Sequence, residues 1–203
     1  MKKLLLILTI CGLTTLWGDD EKPKTADKKK PANANAGMPM AKPGPEARDL
    51  LSLVGTWKSN DTMEKIEGMM PGGEGTSTEV ITRGPGGHSV ILHVTGTSGP
   101  MASFRGMGVL AWSPEENAYK MAWVENMMPG LTLQTGHKDG NDIVLEGETT
   151  MQGKKFKMKD VMSDRTATSY TITSYMDDGT GEKKVMTIKL KKEEAKPKTE
   201  APK

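Results

Sequence analysis

Alternation of apolar and polar residues runs through most of the chain after Gly55, and it is clearest on either side of one turn. Phe104, Leu110 and Trp112 share one face of a segment, with glycines at the intervening positions of that face. After turn residues at 113–117, the next segment places Tyr119, Met121, Trp123 and Glu125 on one face. A period of two on both sides of a turn predicts a β-hairpin.

The same period recurs in short segments that turn residues separate. Strands are predicted at 56–60, 63–68, 76–83, 88–97, 104–112, 119–126, 131–137, 143–151, 155–163, 168–176 and 183–190, with a glycine-rich loop at 69–75. About ten short strands with no long helix between them are typical of an all-β fold. Because most connections are short and contain glycine, we predict an antiparallel up-and-down barrel, which closes and so avoids bare strand edges.

A short helix is predicted just before the first strand, over residues 45–54. Pro45 suits the first turn of a helix, Glu46 favours its positive end, and Gly55 ends it. We expect Leu50, Leu51 and Val54 to fill one end of the barrel.

The chain divides by composition into four parts. Residues 1–18 have a basic start and an apolar run, which predicts a secretory signal peptide and an exported protein, periplasmic or secreted. Residues 19–45 are a Lys/Pro/Ala-rich segment predicted to be a disordered linker, 46–192 are the barrel domain, and 193–203 are a disordered tail. Anchoring by a lipid on Cys11, the only cysteine, is the alternative for localisation. No integral membrane segment is expected.

Charge argues against a nucleic-acid partner. The chain has 28 Lys and Arg against 26 Asp and Glu, and Lys2 and Lys3 lie in the predicted signal peptide. The remaining 26 cations balance the 26 acids, so the mature chain lacks the excess of positive charge that nucleic-acid binding requires.

Methionine supplies much of the predicted core, with 16 residues against two Phe and three Tyr. Thioether side chains adapt to varied apolar shapes, so we expect a small hydrophobic ligand inside the barrel; simple core packing is the alternative. The candidate ligand contacts are Arg105, Tyr119, Met121, Trp123, Glu125, Met158 and Asp160. Asp160 is expected to form an internal ion pair with Arg105 or Arg165, and Trp57 and Trp123 are expected to be buried.

Five motifs taken together resemble the DUF1579 family of bacterial proteins, whose function is unassigned. They are Leu53–Trp57, Phe104–Gly108, Tyr119–Met127, Leu145–Glu148 and Gly181–Met186. The resemblance covers about residues 50–192 and implies a lipocalin-like barrel with no established catalysis. The family usually has Gly-Tyr-Asp before the hairpin turn, where this chain has Ala111-Trp112-Ser113.

Metal, cofactor and catalytic sites find little support. His88, His93 and His137 form no metal-ligand spacing, and the mature chain lacks a nucleophilic motif, so we expect no cofactor, no metal and no enzyme activity. Two hypotheses stay as alternatives. Methionine pairs at 69–70 and 127–128 could bind Cu(I), and the lipocalin-like resemblance allows haem with His137 as ligand. A protein without a ligand that acts through its surface is the remaining alternative for function. The oligomeric state is not predicted.

Overall fold

The protein was analysed as a computed structural model, which describes residues 42–68, 70–98, 101–151 and 153–194. The predicted signal peptide, nearly all of the predicted linker and most of the predicted tail lie outside the described residues. The described chain forms one closed ring of ten antiparallel strands preceded by a short helix.

Each strand pairs with its neighbours in sequence. In chain order the elements are α1 (Pro45–Leu51), β1 (Gly55–Ile66), β2 (Met70–Arg83), a 3-10 turn (Pro85–Gly87), β3 (Ser89–Ser98), β4 (Met101–Ser113), β5 (Ala118–Glu125), β6 (Thr132–Asp139), β7 (Asp142–Met151), β8 (Lys154–Ser163), β9 (Ser169–Asp177) and β10 (Glu182–Lys192). The ring closes where β1, already paired with β2, also pairs with β10, with Ser59 opposite Leu190. The predicted up-and-down barrel is confirmed.

The start of the barrel differs from the prediction. The two short strands expected at 56–60 and 63–68 are one continuous strand, β1, because Asp61 and Thr62 keep the pairing with both neighbours. The expected glycine-rich loop is mostly the start of β2. Gly72 and Gly73 have φ values of 75° and 127°, so glycine lets this strand keep its pairing through an irregular stretch.

Helix α1 covers one end of the barrel, which we call the closed end. Leu50 and Leu53 are buried there, and the indole Nε1 of Trp57 donates a 2.7 Å hydrogen bond to the Leu53 carbonyl. Leu51 and Val54 pack against the same cluster, as predicted. The helix ends at Leu51, earlier than expected.

An ion pair also holds α1 to the barrel. Arg165, in the connection from β8 to β9, approaches Oδ1 of Asp49 at 3.0 Å, and its side chain is only 6% exposed. Lys138 reaches the other oxygen of Asp49 at 3.4 Å. Within the described residues, no helix has both the length and the hydrophobicity needed to cross a membrane.

Candidate functional site

The barrel interior holds two separate apolar clusters. The first lies at the closed end and contains Leu50, Trp57, Ile81, Tyr119 and Tyr170 among its buried members. The second lies at the opposite end, where the β1–β2, β7–β8 and β9–β10 hairpins meet. We call it the methionine end: Phe156, Met176 and Val185, with Ile66, Met70, Met151, Met158 and Met186 packed against them.

A layer of polar side chains lies between the two clusters. Along β8 the inward positions are Met162, Asp160 and Met158, and along β9 they are Ile172, Ser174 and Met176, so both strands read apolar, polar, apolar. Strand β1 repeats this order, with Ser59 and Asp61 between Trp57 and Met63. We call this layer the polar belt: Ser59, Asp61, Ser77, Glu79, Gln134, Asp160 and Ser174. The belt residues lie on five of the ten strands: β1, β2, β6, β8 and β9.

On the β1–β2 side of the belt, two serines are paired and one aspartate is not. The Ser59 and Ser77 hydroxyls lie 2.6 Å apart, and the Ser77 amide donates to Ser59 Oγ at 3.0 Å. Asp61 is 9% exposed, and its buried Oδ1 has no hydrogen-bond partner among the described residues. Burial raises the pKa of Asp61, and the neighbouring Ser59 and Ser77 hydroxyls partly offset the rise.

Glu79 is another buried acid of the belt. It is 5% exposed, and burial raises its pKa to about 7. A 2.6 Å hydrogen bond from the Tyr170 hydroxyl opposes the rise, whereas the charge of Asp61 adds to it. Asp61 and Glu79 face inward from the paired strands β1 and β2, with the Ser59–Ser77 pair between them in the register.

Asp160 faces the interior, as the alternation predicted, but the ion pair expected for it is not formed. It accepts hydrogen bonds from Gln134 Nε2 at 2.6 Å and from Ser174 Oγ at 2.5 Å. Arg165 pairs with Asp49 instead, and Arg105 is exposed on the outer face. Burial raises the pKa of Asp160 against these two hydrogen bonds. Neutral donors therefore replace the predicted cation.

Trp123 lies flat against β4 because two glycines leave room for its ring. A Cβ atom placed on Gly108 would come within 2.6 Å of Cε3 of Trp123, and one on Gly106 would clash with Cζ2. Gly108 pairs directly with Trp123. Trp57 is buried as predicted, but Trp123 is only half-buried, although it packs against the first cluster beside Met121.

The structure separates the predicted site residues into groups. Met121 and Trp123 face the interior next to the first cluster, and Met158 belongs to the methionine end. Tyr119 is fully buried at the closed end, where its ring packs edge-on against Trp112 at 4.8 Å. Glu125 accepts from the amides of Met127 and Met128 at 3.2 and 2.8 Å, which makes it part of the β5–β6 connection. Arg105 lies apart from all of them on the outside.

The sequence analysis missed most of the polar belt. Ser59, Asp61, Ser77, Glu79, Gln134 and Ser174 were not among its candidates. The signal was present on β1, where Trp57, Ser59, Asp61 and Met63 keep one period of two. The prediction of two strands, at 56–60 and 63–68, interrupted this period of two at Asp61.

Metal and haem hypotheses gain no geometric support. Across the residues that the structure describes, no group of three or more His, Cys, Asp or Glu is arranged to hold a metal ion. His137 and His93 are exposed on the outer face, so His137 cannot ligate a haem inside the barrel. Of the methionine pairs, Met70 packs into the methionine end and Met127 is 38% exposed, while Met69 is not described.

Two depressions in the described structure lie away from the predicted contacts. One, of about 410 Å³, is bounded by Ser, Thr and other residues of β1, β2 and β3. The other, of about 320 Å³, lies at the β1–β2 hairpin. Neither is lined by Met121, Trp123 or Asp160. The first depression is lined in part by Ser59 and Ser77 of the polar belt.

Comparison with solved structures shows the fold. The S-type phycobiliprotein lyase CPES of Guillardia theta matches with a TM-score of 0.50 and 17% identity, over 73% of this chain and 93% of that one. The M. tuberculosis protein Rv2717c matches with a TM-score of 0.53 and 14% identity, over 75% of this chain and 100% of that one. Both are similar in fold, a lipocalin-like barrel.

Comparison with curated proteins gave no significant match. A family model described as "Protein of unknown function (DUF1579)" matches residues 42–192, which is most of the chain and includes every strand of the barrel. The chain therefore belongs to the DUF1579 family.

Proposed function

We propose that the barrel binds a small, largely apolar molecule in its interior, between the two clusters, without changing it chemically. One observation carries the proposal: Met121, Trp123, Ile172 and Ile188 point into the barrel and pack on the first cluster, yet each stays partly exposed. Side chains at a filled core would be buried. Partial exposure of inward-facing apolar groups is the arrangement of a binding pocket with a few polar groups, here the polar belt.

The methionine end provides the entrance in this proposal. It lies opposite α1, and four of its members are partly buried methionines: Met70, Met151, Met158 and Met186. Methionine is unbranched and flexible, so these side chains can move aside and close again on ligands of different shape. The lyase of similar fold supports the fold assignment only, and no catalytic step is part of the proposal.

A fluorescent apolar dye titrated into the purified chain tests this proposal. We expect saturable binding at one site, weakened by Met158→Asp at the methionine end and by Trp123→Ala. The matched control is Met107→Asp, because Met107 is a 45% exposed methionine on the outer face. Absence of saturable binding, or equal loss in Met158→Asp and Met107→Asp, would contradict an interior site. Native mass spectrometry after lipid extraction would identify a molecule that co-purifies.

A second candidate function rests on the outer surface. Exposed apolar side chains share the outer face of the neighbouring strands β4, β5 and β6: Met107, Val109, Val124 and Leu133. The pairing joins Met107 to Val124 and Val109 to Ala122, which is followed by Leu133. Contiguous exposed apolar patches often mark contact surfaces, which favours a protein that acts through its surface. Loss of function in Leu133→Lys with dye binding intact would support this alternative.

We also propose that the protein is exported, with cleavage of the signal peptide near Gly18. The support is the basic start and apolar run of residues 1–18, followed by Asp19 and Asp20. N-terminal sequencing of the chain recovered outside the cytoplasm is the test. A lipidated Cys11 at the mature N-terminus would support the anchored alternative instead.

A further inference from the structure

The carboxyl groups of the polar belt have no cationic partner. Asp61, Glu79 and Asp160 are all inward-facing, and none of them takes part in the ion pairs of the described residues. The most buried cation in those pairs, Arg165, binds Asp49 at the closed end. Buried carboxylates are normally paired with a cation or satisfied by several donors. The interior of this barrel therefore has an excess of acid.

Hydrogen bonds of 2.6 Å or less reach Asp160 and Glu79, whereas Oδ1 of Asp61 receives none from the described residues. Asp160 accepts from Gln134 and Ser174, and Glu79 accepts from Tyr170. Asp61 differs, because its Oδ1 is buried and unpartnered while the nearby Ser59 and Ser77 hydroxyls lie 2.6 Å from each other. A buried acceptor without a donor is costly. Oδ1 of Asp61 is thus an unsatisfied acceptor, on a side chain that is only 9% exposed and faces into the belt.

The chemistry of the belt distinguishes between classes of apolar ligand. A fatty acid would bring a further carboxylate next to Asp61 and Glu79, and like charges repel strongly in a region of low dielectric. A neutral alcohol could donate one hydrogen bond to Asp61. A protonated amine could donate up to three hydrogen bonds and would also neutralise the acidic layer. Opposite charge is the better complement to this interior.

We infer that the ligand is an amphiphilic organic cation, whose protonated amine lies in the polar belt beside Asp61 and whose apolar part contacts the neighbouring clusters. This inference rests on the proposed function, because it names the class of molecule that the interior takes. Asp61 is the binding residue. Glu79 adds a second acid to the same region, because it lies on the paired strand β2, one inward position beyond the Ser59–Ser77 pair.

Three probes of equal chain length test the inference: octylamine, octanol and octanoate, each titrated by calorimetry into the full chain at neutral pH. We expect octylamine to bind about tenfold more tightly than octanol, and octanoate to bind more weakly than both. Asp61→Asn should weaken octylamine about tenfold or more and should change octanol binding less than twofold. The control is Asp139→Asn, which removes the same charge from an exposed position at the end of β6.

The possible failures are distinguishable. Equal affinity for octylamine and octanoate, or an octylamine affinity that Asp61→Asn and Asp139→Asn lower equally, would overturn the cation assignment while leaving an apolar site in place. Equal binding of octylamine and octanol, with both weakened by Asp61→Asn, would show a hydroxyl ligand and overturn it as well. No binding of any of the three probes would contradict the proposed function itself. Retained octanol binding in Asp61→Asn shows that the variant is folded.

Discussion

Tyr170 on β9 and Glu79 on β2 are joined across the barrel interior, where the Tyr170 hydroxyl donates a 2.6 Å hydrogen bond to Oε2 of Glu79. The Tyr170 ring also packs edge-on against Trp57, with centroids 4.6 Å apart. Glu79 lies opposite Trp57 in the β1–β2 register. One tyrosine thus connects the closed-end cluster to the polar belt, and its partner is an acid whose pKa is raised to about 7.

Replacing Glu79 should change how stability depends on pH. The pKa of Glu79 rises from 4.5 to about 7 on folding, so between these values the folded chain keeps a proton that the unfolded chain releases. Stability from this group is therefore present below pH 4.5 and is lost as the pH rises towards 7. Between pH 4.5 and 8, wild type should lose about 3 kcal/mol more free energy of unfolding than Glu79→Gln.

Urea unfolding at several pH values measures this difference. Some pH dependence should persist in Glu79→Gln, because burial also raises the pKa values of Asp61 and Asp160. Glu115→Gln, in the exposed turn between β4 and β5, is the control and should follow wild type. If the free energy of unfolding depends on pH in the same way for wild type and Glu79→Gln, Glu79 is not a protonated interior acid.

Trp57 should be among the most costly residues to truncate. It is 1% exposed, contacts Tyr170, and donates to the Leu53 carbonyl. We expect Trp57→Ala to lower the free energy of unfolding by about 3–5 kcal/mol, because it leaves a cavity and breaks the link between β1 and the segment after α1. Trp123→Ala should cost less, since Trp123 is only half-buried. Lys58→Ala, one residue along on the outer face, is the control. If Trp57→Ala unfolds at the same midpoint as wild type, Trp57 is not packed in the core.

Gly108 should be intolerant of a side chain while Trp123 is present. Its Cβ would lie 2.6 Å from Cε3 of Trp123 and 3.2 Å from Sδ of Met121. We expect Gly108→Ala to destabilise the barrel by about 1–3 kcal/mol. Part of that loss should disappear when Trp123→Leu is added, because the ring that clashes is removed. A double-mutant cycle by urea unfolding gives the coupling energy; strictly additive effects would mean that the glycine does not accommodate the indole.

The Asp49–Arg165 pair should matter more than an exposed pair. Arg165 is 6% exposed and Asp49 30% exposed, at 3.0 Å. Arg165→Met should lower the free energy of unfolding by about 1–3 kcal/mol, because Asp49 loses its closest cation at the place where α1 meets the barrel. Lys65→Met is the control, since Lys65 and Glu67 form a pair at 3.3 Å with both side chains largely exposed. Equal effects of the two substitutions would show that α1 does not depend on the pair.

Alternation was enough to predict the ring of strands, but it failed where the interior is polar. Asp61 is a typical turn residue, so its place in the middle of a strand contradicted local preference, although the face it shares with Trp57 and Met63 is buried. The burial of Asp61 follows from pairing with β2 and β10, and β10 lies more than 100 residues away in the chain.

For the candidate site, the alternation of side chains along a strand predicted only which face of that strand each residue occupies. Alternation placed Trp123, Met158 and Asp160 inside, but Arg105, which was also predicted as a ligand contact, is exposed on the outer face. The partners of Asp160 could not be predicted, because Gln134 and Ser174 are brought to it from β6 and β9 by strand register. Neutral hydrogen-bond donors are harder to recognise in a sequence than a pair of opposite charges.

Pairing of β1 with β10 brings the beginning and the end of the folded domain to one side of the molecule. The Glu193 amide donates to the Thr56 carbonyl at 2.8 Å, and Lys192 Nζ reaches the Ser52 carbonyl at 3.1 Å. Any tether joined to either terminus of the barrel therefore leaves from the closed end.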